Sequence, residues 1–308
     1  MHLDHLTIRN AGPFKGSQRF TFASPGNKPI NLICGAGGSG KTFLLNSIIW
    51  ALGGPLNALN APHLLYHHSM ESRSASVASV TLRFHVGQLA YESCRMWENR
   101  KDALSDREHF RLRIRAKNGR WRQQREPKTL LNSLFPPVVQ DILFHFSNEH
   151  LAELLCPSSR VLNIRGFRAW MLRRLGEVRF SQCPESRADA VLRASLSGQE
   201  FSEALGVVHL AALRLTAFFR QWILTAEEVC SELKHLRGKA LPWILDSPFS
   251  FLDVATGLEA AKLLAAVKTQ LVIATSPVDL QSPVDLEVTS QIGARIWLTR
   301  DIPHRLRS

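Results

Sequence analysis

The chain has 308 residues, of which 45% are hydrophobic and 21% charged, so its composition is that of a globular protein and excludes general disorder. The net charge of +12 is concentrated in residues 95–128, which carry +7, and in residues 160–179, which carry +5. Such clustering favours a surface that faces a polyanion, although two solvated basic faces are an equally simple interpretation.

The first third of the chain predicts strands, one helix and then an antiparallel sheet. The first strands are expected at His2–Ile8, Arg19–Phe22 and Ile30–Cys34, with a turn at Pro25–Asn27. Apolar residues at helical spacing predict a helix over Lys41–Leu52, which ends at Gly53. Alternating apolar residues between 76 and 122 predict three further strands: Val77–Val86, Leu89–Trp97 and Phe110–Ala116.

The remainder of the chain predicts helices that lead into two buried strands. Helices are expected over 137–155, 166–176, 200–222 and 257–268, and the helix over 200–222 is apolar on all sides, which is typical of a buried helix. Leu241–Leu245 and Leu271–Ala274 read as short buried strands. Strand–loop–helix units at both ends and a β-rich middle predict an α/β core that carries an antiparallel subdomain.

A complete phosphate-binding motif follows the third predicted strand and opens the first predicted helix. Its glycines allow backbone N–H groups to surround phosphate oxygens, and the helix presents its positive end. We expect Lys41 to contact the β and γ phosphates of ATP and the Thr42 hydroxyl to bind Mg²⁺. The motif residues that we assign to the nucleotide are Gly35, Gly37, Gly38, Ser39, Gly40, Lys41 and Thr42.

A carboxylate at the end of a late strand is the expected partner of this motif. Four of the five residues Leu241–Leu245 are apolar, and the run ends in Asp246. An apolar run that ends in Asp is common, but downstream of a full phosphate-binding loop it predicts a carboxylate that holds Mg²⁺ through water, opposite Thr42.

Several motifs resemble those of the SMC, RecF and SbcC-type ATPases. Leu6–Asn10 followed by Gly12–Gly16 is similar to the opening of that family, and the resemblance implies that Lys15 contacts the nucleotide. Leu196, Ser197, Gly198 and Gln199 resemble the ABC signature, with Gln199 in place of its second glycine. Asp246–Asp253 resembles a Walker B motif that runs into a D-loop ending in Asp253, and Leu271–Ser276 resembles the switch strand.

The resemblance implies a fold and a cofactor set. The fold class is α/β: a P-loop ABC-type ATPase head with an antiparallel β subdomain and a helical lobe, lacking a long coiled coil. We expect an N-terminal lobe at 1–156, a short helical connector at 157–195 and a C-terminal lobe at 196–308. ATP and Mg²⁺ are the implied cofactors. Two chains would sandwich ATP between the phosphate-binding loop of one and the signature of the other.

Within this family the chain is similar to the DndD-type ATPase of bacterial DNA sulfur modification and its relatives in phage defence. The features that carry this likeness are Leu241-Pro242 before the Walker B strand, Asp-Ser-Pro from Asp246, the segment Phe135–Glu149, and Arg95-Met96-Trp97.

The chain departs from the family pattern at several positions. Ser247 stands where the family keeps a water-polarising Glu, and Ser276 stands where it keeps a His. Glu149 is the nearest acid in the segment that replaces the expected Q-loop glutamine, so it is a candidate for positioning water. Ser197 lies 49 residues before Asp246, a longer separation than the family shows, and Thr225–Glu228 is a rival signature. Only 39 residues separate Cys156 from Leu196, which leaves no room for a long coiled coil.

The sequence leaves more than one function open. The main hypothesis is a slow, ATP-gated homodimer that acts on DNA, with Arg111, Arg113, Arg115, Arg165, Arg168, Arg173 and Arg174 contacting phosphates. The alternative is a nucleotide sensor that controls a partner nuclease or toxin, and modification-complex subunits are further candidate partners. A transporter ATPase is disfavoured by the opening motif. The start Met1–Leu6 lacks a signal-peptide pattern and no cysteines have CxxC spacing, so a cytoplasmic protein without a membrane partner is expected.

Overall fold

The computed structural model describes residues 1–24, 26, 28–53, 77–98, 107–135, 241–248, 262, 264, 269–276 and 289–299. Ten strands and two helices lie within these ranges and form two sheets. In chain order they are β1 His2–Ala11, β2 Phe14–Thr21, β3 Ile30–Gly35, α1 Lys41–Ala51, β4 Val77–Val86, β5 Leu89–Glu98, β6 Arg107–Arg115, β7 Arg122–Gln123, α2 Pro127–Leu134, β8 Trp243–Asp246, β9 Leu271–Thr275 and β10 Ile292–Leu298.

The first sheet is antiparallel and has the strand order β2-β1-β4-β5-β6-β7. Buried and half-exposed residues alternate strictly along β4, as expected for a sheet with one face on the core and one face toward solvent. A two-residue turn at Gly87 joins β4 to β5, and its positive φ of 60° favours glycine. This sheet confirms the antiparallel strands that the alternation in residues 76–122 predicts.

The second sheet is parallel, has the order β10-β3-β9-β8, and takes strands from both ends of the chain. Every residue of β3, β8 and β9 is buried, which explains why these strands read as continuous apolar runs without alternation. The register pairs Cys34 with Thr275 and Asp246 with Ala274. The carboxyl ends of the three strands therefore meet at one edge.

Helix α1 lies between the two sheets and contacts both of them. Its Trp50 packs against Trp97 of β5, with ring centroids 5.3 Å apart. The buried Ser93 of β5 donates a hydrogen bond to the Ala51 carbonyl at the end of the helix, where an intrahelical partner is missing. The helix that follows the phosphate-binding loop is therefore anchored to the antiparallel sheet at its far end.

A buried amide also joins the two sheets. Gln270, at the start of β9, accepts a hydrogen bond from Leu3 N at 2.6 Å through Oε1. Its Nε2 donates to the Leu3 and Ala23 carbonyls at 3.0 and 2.8 Å. Because Gln270 is fully buried, these bonds satisfy backbone groups that water does not reach.

The structure differs from the sequence-based expectations at several elements. Strand β2 begins at Phe14 and not at Arg19, because its polar first half pairs with β1 from Ala11 back to Arg9. Strands β7 and β10 and helix α2 were not expected. The helices predicted over 137–155, 166–176 and 200–222 lie outside the described residues, as does most of 257–268. Among the described helices, none is long and apolar enough to cross a membrane.

Candidate nucleotide-binding site

The loop between β3 and α1 has a shape that requires its glycines. Gly40 has a φ of 96°, in the left-handed region, and a Cβ there would lie 2.5 Å from Pro13 Cγ. A Cβ on Gly35 would meet Ser39 Oγ and lie 2.8 Å from the Leu298 carbonyl oxygen. Ala36, Gly37 and Gly38 are exposed. The loop is therefore fixed at both ends and open at its tip, as a cradle for phosphate oxygens requires.

The turn between β1 and β2 packs directly on this loop. A Cβ on Gly12, whose φ is 55°, would lie 2.5 Å from the Phe43 ring, and the rings of Phe14 and Phe43 are 6.0 Å apart. These contacts give a physical reason for the Gly12–Phe14 motif, which supports the start of α1. Lys15 follows the turn and is exposed; its contact with nucleotide stays a prediction.

The Lys41 ammonium group lies over the same loop. Its Nζ donates hydrogen bonds to the Gly35 carbonyl at 2.7 Å and to the Ala36 carbonyl at 2.9 Å. These bonds hold a positive charge beside the N-terminus of α1, which carries its own partial positive charge. The combination attracts a polyphosphate.

Thr42 and Asp246 meet although 204 residues separate them in the chain. The Thr42 hydroxyl donates a hydrogen bond of 2.7 Å to Asp246 Oδ2, and Asp246 is only 4% exposed. A hydroxyl and a carboxylate are hard oxygen donors, which Mg²⁺ prefers when it is also bound by substrate phosphates. The two side chains therefore fit the metal that the motif implies.

Ser247 and Ser276 lie at the same edge of the parallel sheet. Ser247 has a φ of 50°, which is unusual for a residue other than glycine. Its N–H donates to the Ala274 carbonyl at 2.7 Å and its hydroxyl to Asp246 Oδ1 at 3.3 Å. Ser276 directly follows β9, the strand between those of the loop and of Asp246. The backbone turn at Ser247 was not visible in the sequence.

The predicted arginine face of β6 is present. Arg111 and Arg113 are exposed, while Leu112 is fully buried on the other side of the strand. The sequence did not reveal their partners. Glu92 of β5 forms ion pairs with Arg113 and, at 3.0 Å, with Arg83. Glu92 and Arg113 lie directly opposite each other on β5 and β6, and this register between the two strands determines the pairing.

The environment of Glu92 is electrostatically favourable. Burial by itself raises the pKa of this carboxyl, but the hydrogen bonds and charges of Arg113 and Arg83 outweigh it, and the pKa of Glu92 lies below its ordinary value. Two of the basic side chains on this face are thus held in place by one carboxylate.

The other predicted site residues fall outside the described part of the chain, and their roles stay predictions. They are Glu149, Leu196, Ser197, Gly198, Gln199, Asp253, Arg165, Arg168, Arg173 and Arg174. The lobe boundaries at 156–157 and 195–196 lie there as well.

A phosphate-binding loop that opens a helix, with a buried Asp on a nearby parallel strand facing its Thr hydroxyl, defines a P-loop ATPase. A family model described as an AAA domain matches residues 5–181, more than half of the chain. The chain therefore belongs to this AAA-domain family.

One curated protein is similar in sequence, and two solved structures are similar in fold. SbcC, a component of the nuclease SbcCD of Treponema pallidum, is 37% identical over 86 residues, 28% of this chain and 8% of that protein. The SMC head domain of Thermotoga maritima matches with a TM-score of 0.52 at 15% identity, over 97% of this chain and 95% of that one. An SMC head bound to the C-terminal winged-helix domain of ScpA matches with a TM-score of 0.54 at 15% identity, over 93% and 92%.

These likenesses confirm the predicted fold class, an SMC-type P-loop ATPase head with an antiparallel and a parallel sheet. Among the described residues there is no long coiled coil. The aligned part spans about 8% of the length of the curated relative, so the comparison covers a small part of that protein.

Proposed function

We propose that this protein is an SMC/SbcC-like head that binds ATP, hydrolyses it slowly, dimerises on it and acts on DNA. The observation that carries the proposal is the hydrogen bond between Thr42 and Asp246, 2.7 Å long. It joins the phosphate-binding loop to a buried carboxylate from the far end of the chain, as ATP hydrolysis in this class requires.

Binding of the triphosphate follows from the loop. Backbone N–H groups at the exposed tip of the loop and the positive end of α1 are available to the phosphates, and the Lys41 ammonium moves from two backbone carbonyls to the β and γ phosphates. Mg²⁺, when bound, neutralises charge on the phosphate oxygens, and Thr42 and Asp246 would hold it. These residues do not by themselves activate water.

Slow turnover follows from the side chains at the sheet edge. Ser247 donates its hydroxyl hydrogen to Asp246 and has no basic group that accepts a proton from water near neutral pH. A positioned general base contributes about 10²- to 10⁴-fold in rate, so its absence leaves a correspondingly slow ATPase. Glu149 and Ser276 are the candidates for positioning the attacking water.

Dimerisation requires the signature segment of a second copy. In the proposed sandwich, Ser197 and the segment Leu196–Gln199 face the γ-phosphate that is bound to the partner's loop. ATP then has differential affinity for the closed dimer and shifts the equilibrium toward it, and hydrolysis reverses the shift.

The dimer is tested by sedimentation velocity with and without Mg·ATP. Ser197→Arg is expected to keep ATP binding and to lose ATP-dependent dimerisation, whereas a Thr225→Arg change in the rival signature is the matched control and leaves both intact. Dimerisation that survives Ser197→Arg, or is lost with Thr225→Arg, contradicts this assignment of the signature.

Action on DNA rests on the basic segments and on relatives. Arg111 and Arg113 of β6 are exposed, and a relative is named as a component of a nuclease, which supports a nuclease as a partner. The likeness to the DndD-type ATPase favours DNA modification or phage defence, alongside repair, as the pathway.

A second candidate is a nucleotide-sensing regulator that controls a nuclease or toxin without contacting DNA. The presence of Ser247 at the position next to Asp246 favours it, because such a site binds ATP better than it turns it over. An assay of phosphate release with and without DNA separates the two functions, since only the first predicts that DNA changes the rate.

A further inference from the structure

The solvent-facing side of the antiparallel sheet collects arginines from four strands, because directly opposite residues on neighbouring strands share a face. One cross-strand row is Arg19–Thr7–Thr81–Cys94–Arg111. The row beside it is Thr21–His5–Arg83–Glu92–Arg113–Gln123. A third row is Ser17–Arg9–Ser79–Met96–His109, and Arg115 lies opposite Ala90 next to the second row.

We call this surface the arginine face and define it by Arg9, Arg19, Arg83, Arg111, Arg113 and Arg115. The carboxylate within its three rows is Glu92, while Asp4 contacts His5 at the rim, with 3.4 Å between Asp4 Oδ2 and His5 Nδ1. Burial, and then the charge of Arg19, lower the pKa of His5 on this face. Five of the other side chains in these rows are hydroxyls, Thr7, Ser17, Thr21, Ser79 and Thr81, and hydroxyls also donate to phosphate oxygens.

The shape of the face restricts what it can contact. Five neighbouring strands of this sheet, in the order β2-β1-β4-β5-β6, span about 19 Å at a strand spacing of about 4.8 Å. The grooves of a DNA duplex are narrower, about 12 and 6 Å wide. A surface of this width cannot enter a groove. It lies across the phosphate ridges that border the grooves, so its contacts are independent of base sequence.

The Trp121 ring at this face is stacked against three arginines. The guanidinium carbons of Arg83, Arg113 and Arg115 lie 5.1, 5.6 and 4.8 Å from the centroid of the Trp121 ring. The three cross-strand rows contain no Phe, Tyr or Trp. Proteins that bind single strands stack unpaired bases on exposed aromatic rings. On this face the guanidinium groups of arginines lie against the Trp121 ring, where a base would have to stack.

We propose that the arginine face binds the phosphate backbone of double-stranded nucleic acid, independently of sequence and in preference to single strands. The proposal rests on the DNA-linked function proposed above and assigns it a surface and a substrate form. Trp121 acts there as a support that fixes the three guanidinium groups, and Glu92 holds two of them, Arg83 and Arg113, through ion pairs.

The test measures fluorescence anisotropy of a labelled 30-base-pair duplex, and of one of its strands, over a range of salt concentrations with the full chain. If all six arginines contact phosphates, log K falls with log salt at a slope of about −5. The double variant Arg9→Glu/Arg111→Glu is expected to lower duplex affinity roughly 60-fold at 0.1 M salt and to reduce the slope by about 2.

The matched control is Arg122→Glu/Lys128→Glu, which changes the net charge equally. Arg122 lies opposite Ile114 and therefore on the other side of the sheet from Arg113, and Lys128 is on α2. This control is expected to keep duplex affinity within about threefold. An equal loss in both double variants would show that only net charge matters and would overturn the proposal.

A second variant tests the preference for duplex. Trp121→Leu is expected to change single-strand affinity less than threefold, whereas removal of a stacking platform costs about 1–3 kcal/mol per base, or more than fivefold. Tighter binding of the single strand than of the duplex, with loss in Trp121→Leu, would overturn the proposal. A chain that dimerises on ATP but does not bind duplex contradicts only the arginine face, and one that binds duplex without dimerising contradicts only the proposed head function.

Discussion

The substitution Asp246→Asn keeps the size of a buried side chain and removes its charge. The Thr42 hydroxyl donates to Asp246 Oδ2 at 2.7 Å, and a hydrogen bond to a charged group contributes about 1.5–3 kcal/mol. Loss of a carboxylate that orients a metal ligand usually costs about 10- to 100-fold in affinity, which is about 1.4–2.8 kcal/mol. The hydrogen bond stabilises the metal-free chain and is replaced when Mg²⁺ binds, so the metal-ligand magnitude applies, and the dissociation constant of Mg·ATP is expected to rise about 10- to 100-fold.

The assay is a titration with a fluorescent ATP analogue in excess Mg²⁺ and again in EDTA. Without Mg²⁺ the phosphates meet Lys41 and the loop N–H groups alone, so Asp246→Asn is expected to bind as tightly as the unsubstituted chain or tighter, because a negative charge is gone. Thr42→Ser keeps the hydroxyl and is the matched control, with near-normal Mg·ATP affinity. An equal loss in Mg²⁺ and in EDTA would refute the reasoning, since it would show a folding defect or a role unrelated to the metal.

Three further outcomes follow from the packing. Gly40→Ala introduces a Cβ at a φ of 96° and 2.5 Å from the proline ring of the β1–β2 turn, so the free energy of unfolding in urea should fall by about 2–4 kcal/mol. The control Gly37→Ala, whose Cβ would have nothing within 4 Å, should change this free energy by less than about 0.5 kcal/mol. Equal effects of the two substitutions would contradict the proposed role of Gly40. Gln270→Ala removes the amide that bonds the buried N–H and carbonyl of Leu3 and the partly buried Ala23 carbonyl, which should cost about 3–5 kcal/mol, against little change for the exposed Gln123→Ala. Burial lowers the pKa of His2, so as the pH falls the unfolded chain binds a proton before the folded chain does, and stability should fall below about pH 6.5. In His2→Gln the slope of stability against pH should be flatter. An unchanged slope would exclude His2 as the source of the pH dependence.

The local patterns of the sequence predicted the elements that carry the site. Strand β3, helix α1 and the strands of residues 76–122 follow from apolar periodicity and turn residues, because these signals depend on neighbours along the chain. Strand β10 was missed because it is an edge strand whose residues alternate between partly buried and exposed, with Trp297 61% exposed. Helix α2 was missed because it is eight residues long and buries little beyond Leu131.

The chemistry of the phosphate-binding loop was determined by the sequence alone, since residues 35–42 form one continuous segment whose glycines, Lys41 and Thr42 must act together wherever they occur. The motif order in the sequence predicted Asp246 opposite Thr42, but only the tertiary structure showed that the two side chains are in direct contact and that arginines from four strands share one face. The physical reason is that both depend on strand register between distant segments, which buried surface and interstrand hydrogen bonds select and which no local pattern encodes.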